Sequence, residues 1–361
     1  MTQELIFHIG LNQIKGVGPV NTKKIVAYCG GLEAVFKEKQ SNLEKIPNVG
    51  PVLASQIKNS SVLSRAEEEL VFIRKNNIKC LSYWGDNYPQ KLKHCKDAPT
   101  LLFSKGNVNF ENPKIISVVG TRNATSYGSS FCKEFIQELA PYSPLIVSGI
   151  AYGIDKFAHK ESLKNNLQTL GVLAHGLDTI YPKLNRDLAS KMLDNGGLLT
   201  EFVSQTKIVR ENFVRRNRII AGLSDATIVV ESNIKGGAII TARMANSYNR
   251  EVFAVAGRVN DKYSSGCHSL IKNNEAHLIT SAQDLILNLG WDNVESPAQQ
   301  SLFSCSPEEN DLLNIISSHQ GIHIDKIHSF SSLPFQKVNE LLMKLELEGV
   351  ISAKPGNIYF N

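Results

Sequence analysis

The chain has 361 residues, of which 42% are hydrophobic and 20% charged, with a formal net charge of +5. That length holds two or three domains, and the balance is that of a folded soluble protein rather than a disordered or low-complexity one. No window approaches the roughly 18 apolar residues of a membrane span, the start MTQELIFHIG does not read as a secretory leader, and the six scattered cysteines contain no CxxC pair, so a metal-free protein of the reducing cytoplasm is expected.

The charge is uneven. Residues 1–75 carry 10 Lys/Arg against 7 Asp/Glu, residues 76–290 carry 25 against 18, and residues 291–361 carry 4 against 9. A polyanionic ligand is therefore expected on the first two segments and not on the acidic last one.

Residues 1–75 contain a loose repeat. Ile14-Lys15-Gly16-Val17-Gly18-Pro19-Val20 precedes one helical run, and Ile46-Pro47-Asn48-Val49-Gly50-Pro51-Val52 precedes another. Gly-Pro reads as a helix stop and restart, so the segment is predicted to be a helical domain of tandem helix-hairpin-helix units (SAM-like). Such turns aim backbone N–H groups at phosphate when exposed. Lys15, Gly16, Gly18, Lys23 and Lys24 are the candidates for a secondary DNA contact; the alternative is a plain helical bundle. Asn48 stands where the first repeat has Gly16. Residues 76–110 read as a connector of turns and short strands.

From about residue 113, apolar runs alternate with helical stretches. Strands are predicted at Ile115–Val119, Leu145–Ser148, Thr169–Ala174, Leu198–Thr200, Ala226–Val230 and Val252–Val255. The pattern predicts an α/β domain over 76–290 with a Rossmann-like, doubly wound, mostly parallel sheet. Ligands of such sheets bind at the carboxyl ends of the strands, where the polar and glycine residues of this chain gather. Residues 291–306 read as a linker, and 307–361 as three helices and a short hairpin, a winged-helix pattern. The helix expected from Pro334 to Glu348 carries Glu340, Glu346 and Glu348 against Lys337 and Lys344, which favours a protein contact over duplex DNA there.

The strand-end loops carry the candidate chemistry. Gly120-Thr121-Arg122 offers backbone N–H groups and a guanidinium fork. Ser148-Gly149 through Asp155 is a small-residue helix entry, with Asp155 a helix cap and His159 one turn on as its bonding partner or, less simply, a hydrolytic pair. Lys183, in Tyr181-Pro182-Lys183-Leu184-Asn185, either reaches a phosphate or is solvated. The run Arg210-Glu211-Asn212-Phe213-Val214-Arg215-Arg216-Asn217-Arg218 combines cations with an aromatic face, the combination that suits unpaired bases. Gly236-Gly237 starts another helix that can receive a phosphate. No nucleophile–base–orienter set, Walker lysine, HExxH or GxSxG is present, so binding rather than catalysis is expected.

Together the blocks VVGTRNATSYG, SGIAYGIDKFAH, GLDTIYPKLN, RRNRIIAGLS, GGAIITARMA, NREVFAVAG and SSGCHSLI resemble the DNA-processing protein A family (DprA, also called Smf), as does the upstream YPQKLKHCKDAPTLLFSKGN. The resemblance spans nearly the whole chain. It implies a bacterial cytoplasmic protein without catalytic activity that binds and protects incoming single-stranded DNA in natural transformation. It further implies loading of the recombinase RecA and a homodimer through the Rossmann-like domain. Family DNA contacts carried over fall on Arg122, Lys183, Arg210, Phe213 and Arg216, beside Gly236-Gly237. Asn217 and Arg218 complete the RNR block, holding either the loop or the DNA. Val214, Gly236, Ala256 and Glu275 depart from the family's usual residues. A second class of function stays open beside this: an enzyme or sensor of small nucleotides, with Asp155, His159, Asp178 and Glu231 as acid–base candidates.

Overall fold

Two covered faces explain why the strands read as unbroken apolar runs. In the computed structural model, which describes residues 2–59, 61–291, 306–319, 321–347, 350–354 and 357–360, nine strands form one sheet. They are β1 (Lys79–Ser82), β2 (Leu101–Gly106), β3 (Ile115–Val119), β4 (Leu145–Ser148), β5 (Thr169–Val172), β6 (Gly196–Thr200), β7 (Ala226–Val229), β8 (Glu251–Val255) and β9 (His277–Ile279). Their order is β1-β2-β6-β5-β4-β3-β7-β8-β9. Pairing is parallel from β6 through to β9 and antiparallel for β1 with β2 and β2 with β6. Within β3, Ile115 and Val119 join one core cluster while Ile116 and Val118 join the other, so both faces are covered, and the one polar residue, Ser117, is buried with its hydroxyl donating to the Ile220 carbonyl at 2.8 Å. Helices Arg210–Leu223, Gly237–Ser247 and Ser265–Lys272 pack on the first face through Ile219, Ile239 and Leu270. Helices Ser126–Leu139, Ile154–Lys164 and Ala282–Asn288 pack on the second through Phe135, Ala158 and Leu285.

The chain winds outward from β3 through β4 and β5 to β6, then returns to lay β7, β8 and β9 on the other side of β3. The winding reverses between β3 and β7, and such a reversal opens a crevice at the carboxyl ends of the two strands. Strand β9 departs from the sequence reading, which ended the sheet at β8. It is three residues long with His277 and Leu278 exposed, too short for a period to show.

The first 75 residues are helical, with helices Pro19–Cys29 and Pro51–Ile57 opening after Gly18 and Gly50. The two turns are conformational copies. Gly18 has φ −82°, ψ 172° and Gly50 φ −81°, ψ 176°; Gly16 and Asn48 both take the left-handed region, at φ 92° and 72°. Asparagine replaces glycine in the second turn because it tolerates that conformation better than other side chains do. Lys23 does not serve an outward face: its Nζ lies 4.0 Å from the Tyr83 ring centroid and 3.5 Å from the Lys96 carbonyl oxygen, so the structure spends it on the connector. Lys15 is exposed and Lys24 half-buried.

These helices are bonded to the sheet domain within one compact unit, Met1–Trp291. Glu69 on helix Ser61–Lys75 is buried, and its carboxylate accepts from the Ser204 amide at 2.9 Å, the Ser204 hydroxyl at 2.5 Å and Arg65 Nη2 at 2.9 Å. The second unit, Asp292–Asn361, has helices Pro307–Ser317, Ile324–Phe330 and Phe335–Leu347. Its sheet has the order β10 (Ile322–His323), β12 (Ile358–Phe360), β11 (Ser352–Lys354). Ser306 and Glu309 form a reciprocal capping box at its first helix, and Lys344 Nζ donates to Glu309 at 2.7 Å. Residues 292–305, nearly all of the expected linker, lie outside the described residues; Trp291 packs into the sheet domain's core. No described helix is long and apolar enough to cross a membrane.

Glu69→Ala strips the Ser204 amide and hydroxyl of their buried acceptor. It is expected to cost roughly 2–4 kcal/mol, measured by urea denaturation of the full chain with tryptophan fluorescence. Glu68→Ala, at a side chain 71% exposed, is expected to be near neutral.

Candidate nucleic-acid interface

The crevice at the β3/β7 reversal is a cleft of about 620 Å³. Gly120, Thr121 and Arg122 after β3 line it together with Ser232, Asn233, Lys235, Gly236 and Gly237 after β7 and the first half of helix Arg210–Leu223. The two loops are tied together: the Thr121 amide donates to the Glu231 carbonyl at 2.7 Å, and the Ile154 amide to the Thr121 carbonyl at 3.2 Å. Gly236 caps helix Gly237–Ser247 in extended conformation, φ −73° and ψ 152°. A Cβ on Gly236 would strike the Ser232 hydroxyl, whereas one on Gly237 would meet nothing within 4 Å. The first glycine thus serves the turn, and the second leaves open space at a helix N-terminus on the cleft wall, where an anion is favoured.

Arg216 forms the buried floor at 6% exposure. Its Nη1 donates to the Val172 carbonyl, and its Nε donates to Asn217 Oδ1 at 3.2 Å. Burial lowers its pKa from 12.5 to about 10, with the charge of Asp155 opposing the fall and that of Arg122 adding to it, so it is a cation at neutral pH. Asp155 is buried too; burial raises its pKa and the charge of Arg216 lowers it. Gly149 is what lets both groups sit beside the backbone here. A Cβ there would lie 2.5 Å from Asp155 Oδ2 and 2.6 Å from Arg216 Nη2, so Gly149 makes room for the arginine.

At the mouth, the Arg122 guanidinium carbon lies 5.4 Å from the Phe213 ring centroid, and the Tyr181 ring meets Phe213 edge-on at 6.0 Å. Arg122, Arg210 and Lys235 are exposed, and no described carboxylate forms an ion pair with any of them. The lining therefore sets four cations against one carboxylate, Asp155. Uncompensated positive potential in a concave site attracts anions.

The structure divides the basic run between two sides of the helix. Arg210, Phe213, Arg216 and Asn217 line the cleft. Arg215 and Arg218 turn away: each donates to Glu201 Oε2 at 2.6 Å, and Arg218 Nη1 also donates to the Asp97 carbonyl. They are absent from the lining because positions three apart share a side of the helix, and that side packs on Glu201. Lys183 is exposed but lies in a short turn, Lys183–Asn185, outside the cleft lining.

Of the acid–base candidates only Asp155 lines the cleft. Asp155 makes no cap: Gly153 precedes the helix with no side-chain cap bond, and Asp155 Oδ2 accepts from the Ala151 amide at 3.3 Å. His159 does not bond to Asp155. Its Nε2 donates to the Gly149 carbonyl at 2.5 Å and its Nδ1 accepts from the Thr169 hydroxyl at 2.7 Å. Glu231 accepts from the Thr125 amide at 3.0 Å and hydroxyl at 2.5 Å, and Asp178 is exposed outside the lining. Sequence reasoning missed Tyr181, Lys235, Ile208 and Val209 as cleft residues. Tyr181 and Lys235 stand two and one residues from groups it did single out.

Comparison with known proteins places the chain in one family. The family model described as DNA recombination-mediator protein A matches residues 79–290, and the DprA winged helix domain matches 296–357. Protein Smf of Synechocystis sp. is 31% identical, covering 99% of this chain and 98% of its own. DNA processing protein DprA of Bacillus subtilis is 37% identical over 69% of this chain and 86% of its own. The X-ray structure of DprA from Streptococcus pneumoniae superposes with TM-score 0.66 at 32% identity, over 78% of this chain and 97% of that one. A Helicobacter pylori DprA structure, described by its single-stranded DNA binding mode, gives TM-score 0.54 at 28% identity over 60% and 96%.

Burial holds the His159 pKa at about 4 instead of 6.5. Between those values the unfolded chain binds a proton that the folded chain refuses, so stability is fully present above pH 6.5 and falls as pH drops toward 4. The slope contributed is at most about 1.4 kcal/mol per pH unit. Urea midpoints at pH 7 and pH 5 are expected to converge in His159→Gln by that share.

Proposed function

Because the chain belongs to the DprA/Smf family of DNA recombination-mediator proteins, we propose that its switch-point cleft binds single-stranded DNA. One observation carries the reading: unpaired cations surround an aromatic pair at the carboxyl edge of the sheet. A single strand presents both partners that such a site needs, phosphates for the cations and bases free to stack. A duplex hides its base faces. The Helicobacter pylori relative, whose structure is described by single-stranded DNA binding, supports the same ligand here.

Within this reading Arg122, Arg210 and Lys235 take phosphates. Arg216 supplies a fixed charge at the floor, and Gly236-Gly237 admits the backbone to a helix start. Arg215 and Arg218 hold the helix, and Lys183 is a contact outside the cleft. The family description as recombination mediators supports delivery of the strand to RecA. Homodimerisation through the Rossmann-like domain and action in the cytoplasm rest on family resemblance. We assign residues 1–75 to tandem helix-hairpin-helix units, 76–290 to the DNA-binding domain, 291–306 to the linker and 307–361 to the winged helix. In this reading the protein acts by binding: His159 and Glu231 are spent on holding loops, Asp178 lies outside the cleft lining, and Asp155 in the lining accepts from the Ala151 amide and answers the charge of Arg216.

Fluorescence anisotropy with labelled oligothymidine, at two salt concentrations and with duplex and mononucleotide competitors, tests this. Tight, salt-sensitive binding that the duplex competes poorly is expected. Arg122→Ala is expected to weaken binding roughly ten-fold on every sequence alike and to reduce the salt slope by about 1. Binding of the mononucleotide but not the oligomer would move the site to the small-nucleotide class.

A further inference from the structure

Phe213, the aromatic that the sequence marks for stacking, is not an open platform. It is half-buried, Arg122 lies over its ring, and Tyr181 packs against it with the ring planes at 65°. Two of its approaches are occupied before any ligand arrives. Tyr181 is placed differently. It lines the cleft with 44% of its surface exposed, and its hydroxyl has no hydrogen-bond partner among the described residues.

The ring is free but its backbone is not. The Tyr181 amide donates to His175 Nε2 at 3.2 Å, and His175 Nδ1 donates to the Gly176 carbonyl at 2.8 Å. Both bonds require the neutral ring with its proton on Nδ1, and burial, which lowers the His175 pKa, favours that form. Four residues beyond Tyr181, the buried Asn185 donates through Nδ2 to the Ile150 carbonyl at 2.9 Å and the Ala151 carbonyl at 3.2 Å. The loop is thereby pinned on both sides of the tyrosine. An exposed ring on a fixed backbone loses little freedom on stacking, which is how preorganised aromatic residues gain affinity.

We infer that Tyr181 is a base-stacking residue of this cleft, offering its exposed ring to an unpaired base while Phe213, itself covered by Arg122, packs against it edge-on. The inference rests on the single-strand reading above and adds to it where a base sits. Arg210 and Lys235 remain for the flanking phosphates. His175 and Asn185 are positioning residues, acting through the loop and not on the ligand.

The experiment compares two labelled chains of equal length on the full-length protein: oligothymidine, and an abasic oligomer with the same phosphates and no bases. The wild type is expected to bind oligothymidine the more tightly. Tyr181→Ala is expected to weaken oligothymidine binding roughly ten-fold, the scale of one base–aromatic stack, and to leave the abasic chain unchanged. Tyr181→Phe is expected to keep most of the affinity for both. An equal loss on both chains would show that the tyrosine only shapes the loop, and an unchanged affinity for oligothymidine would remove it from the site; either result overturns the inference and leaves the single-strand reading standing. A wild type that binds neither chain removes both.

Discussion

Burying guanidinium groups is the constraint on which the site depends. Arg216 and Arg218 are each only 6% exposed, and a buried charge is tolerated only where carboxylates and carbonyls replace water. Asp155 and the Val172 carbonyl do this for Arg216, and Glu201 with the Asp97 carbonyl for Arg218. The two sets of partners lie on different sides of helix Arg210–Leu223, so they fix its rotation like two pins. That rotation turns Phe213 and Asn217 toward the cleft and Arg215 toward Glu201. Even Gly149 follows from it, since a Cβ there would displace both the arginine and its carboxylate.

Around this helix, ionisable groups serve loop geometry. His159 holds the Gly149 carbonyl, Glu231 holds Thr125, and Glu69 holds Ser204. Each removes an acid or base from circulation and turns it into a strut. The cations at the mouth receive no carboxylate partner among the described residues. Uncompensated positive charge of this kind favours an anionic ligand in the cleft.

Much was legible along the chain. The strands from β3 to β8 showed because burial on both faces demands unbroken apolar runs, and the glycine loops showed because they interrupt those runs at the ligand edge. The Gly-Pro repeat was visible, and with it the two matching turns. Strand β9 was not, because three residues with two of them exposed carry no period. Asn48 weakened the repeat as text, yet its φ of 72° does the work of Gly16; residue identity is a coarser record than conformation.

The sequence by itself determined the fold class and the gathering of glycine loops and cations at the strand ends, where the candidate cleft lies, because periodicity and composition report local geometry and net field. Only the tertiary structure decided which cation does what. Arg215, Arg216 and Arg218 are near neighbours in text, but about 100° of helical rotation per residue separates them, and what each meets comes from strands and loops far along the chain. Glu201, Val172 and Asp97 could not be paired with them by spacing. Tyr181 likewise lay unmarked two residues from Lys183, since its exposure and its contact with Phe213 exist only once the β5 loop has folded over the helix.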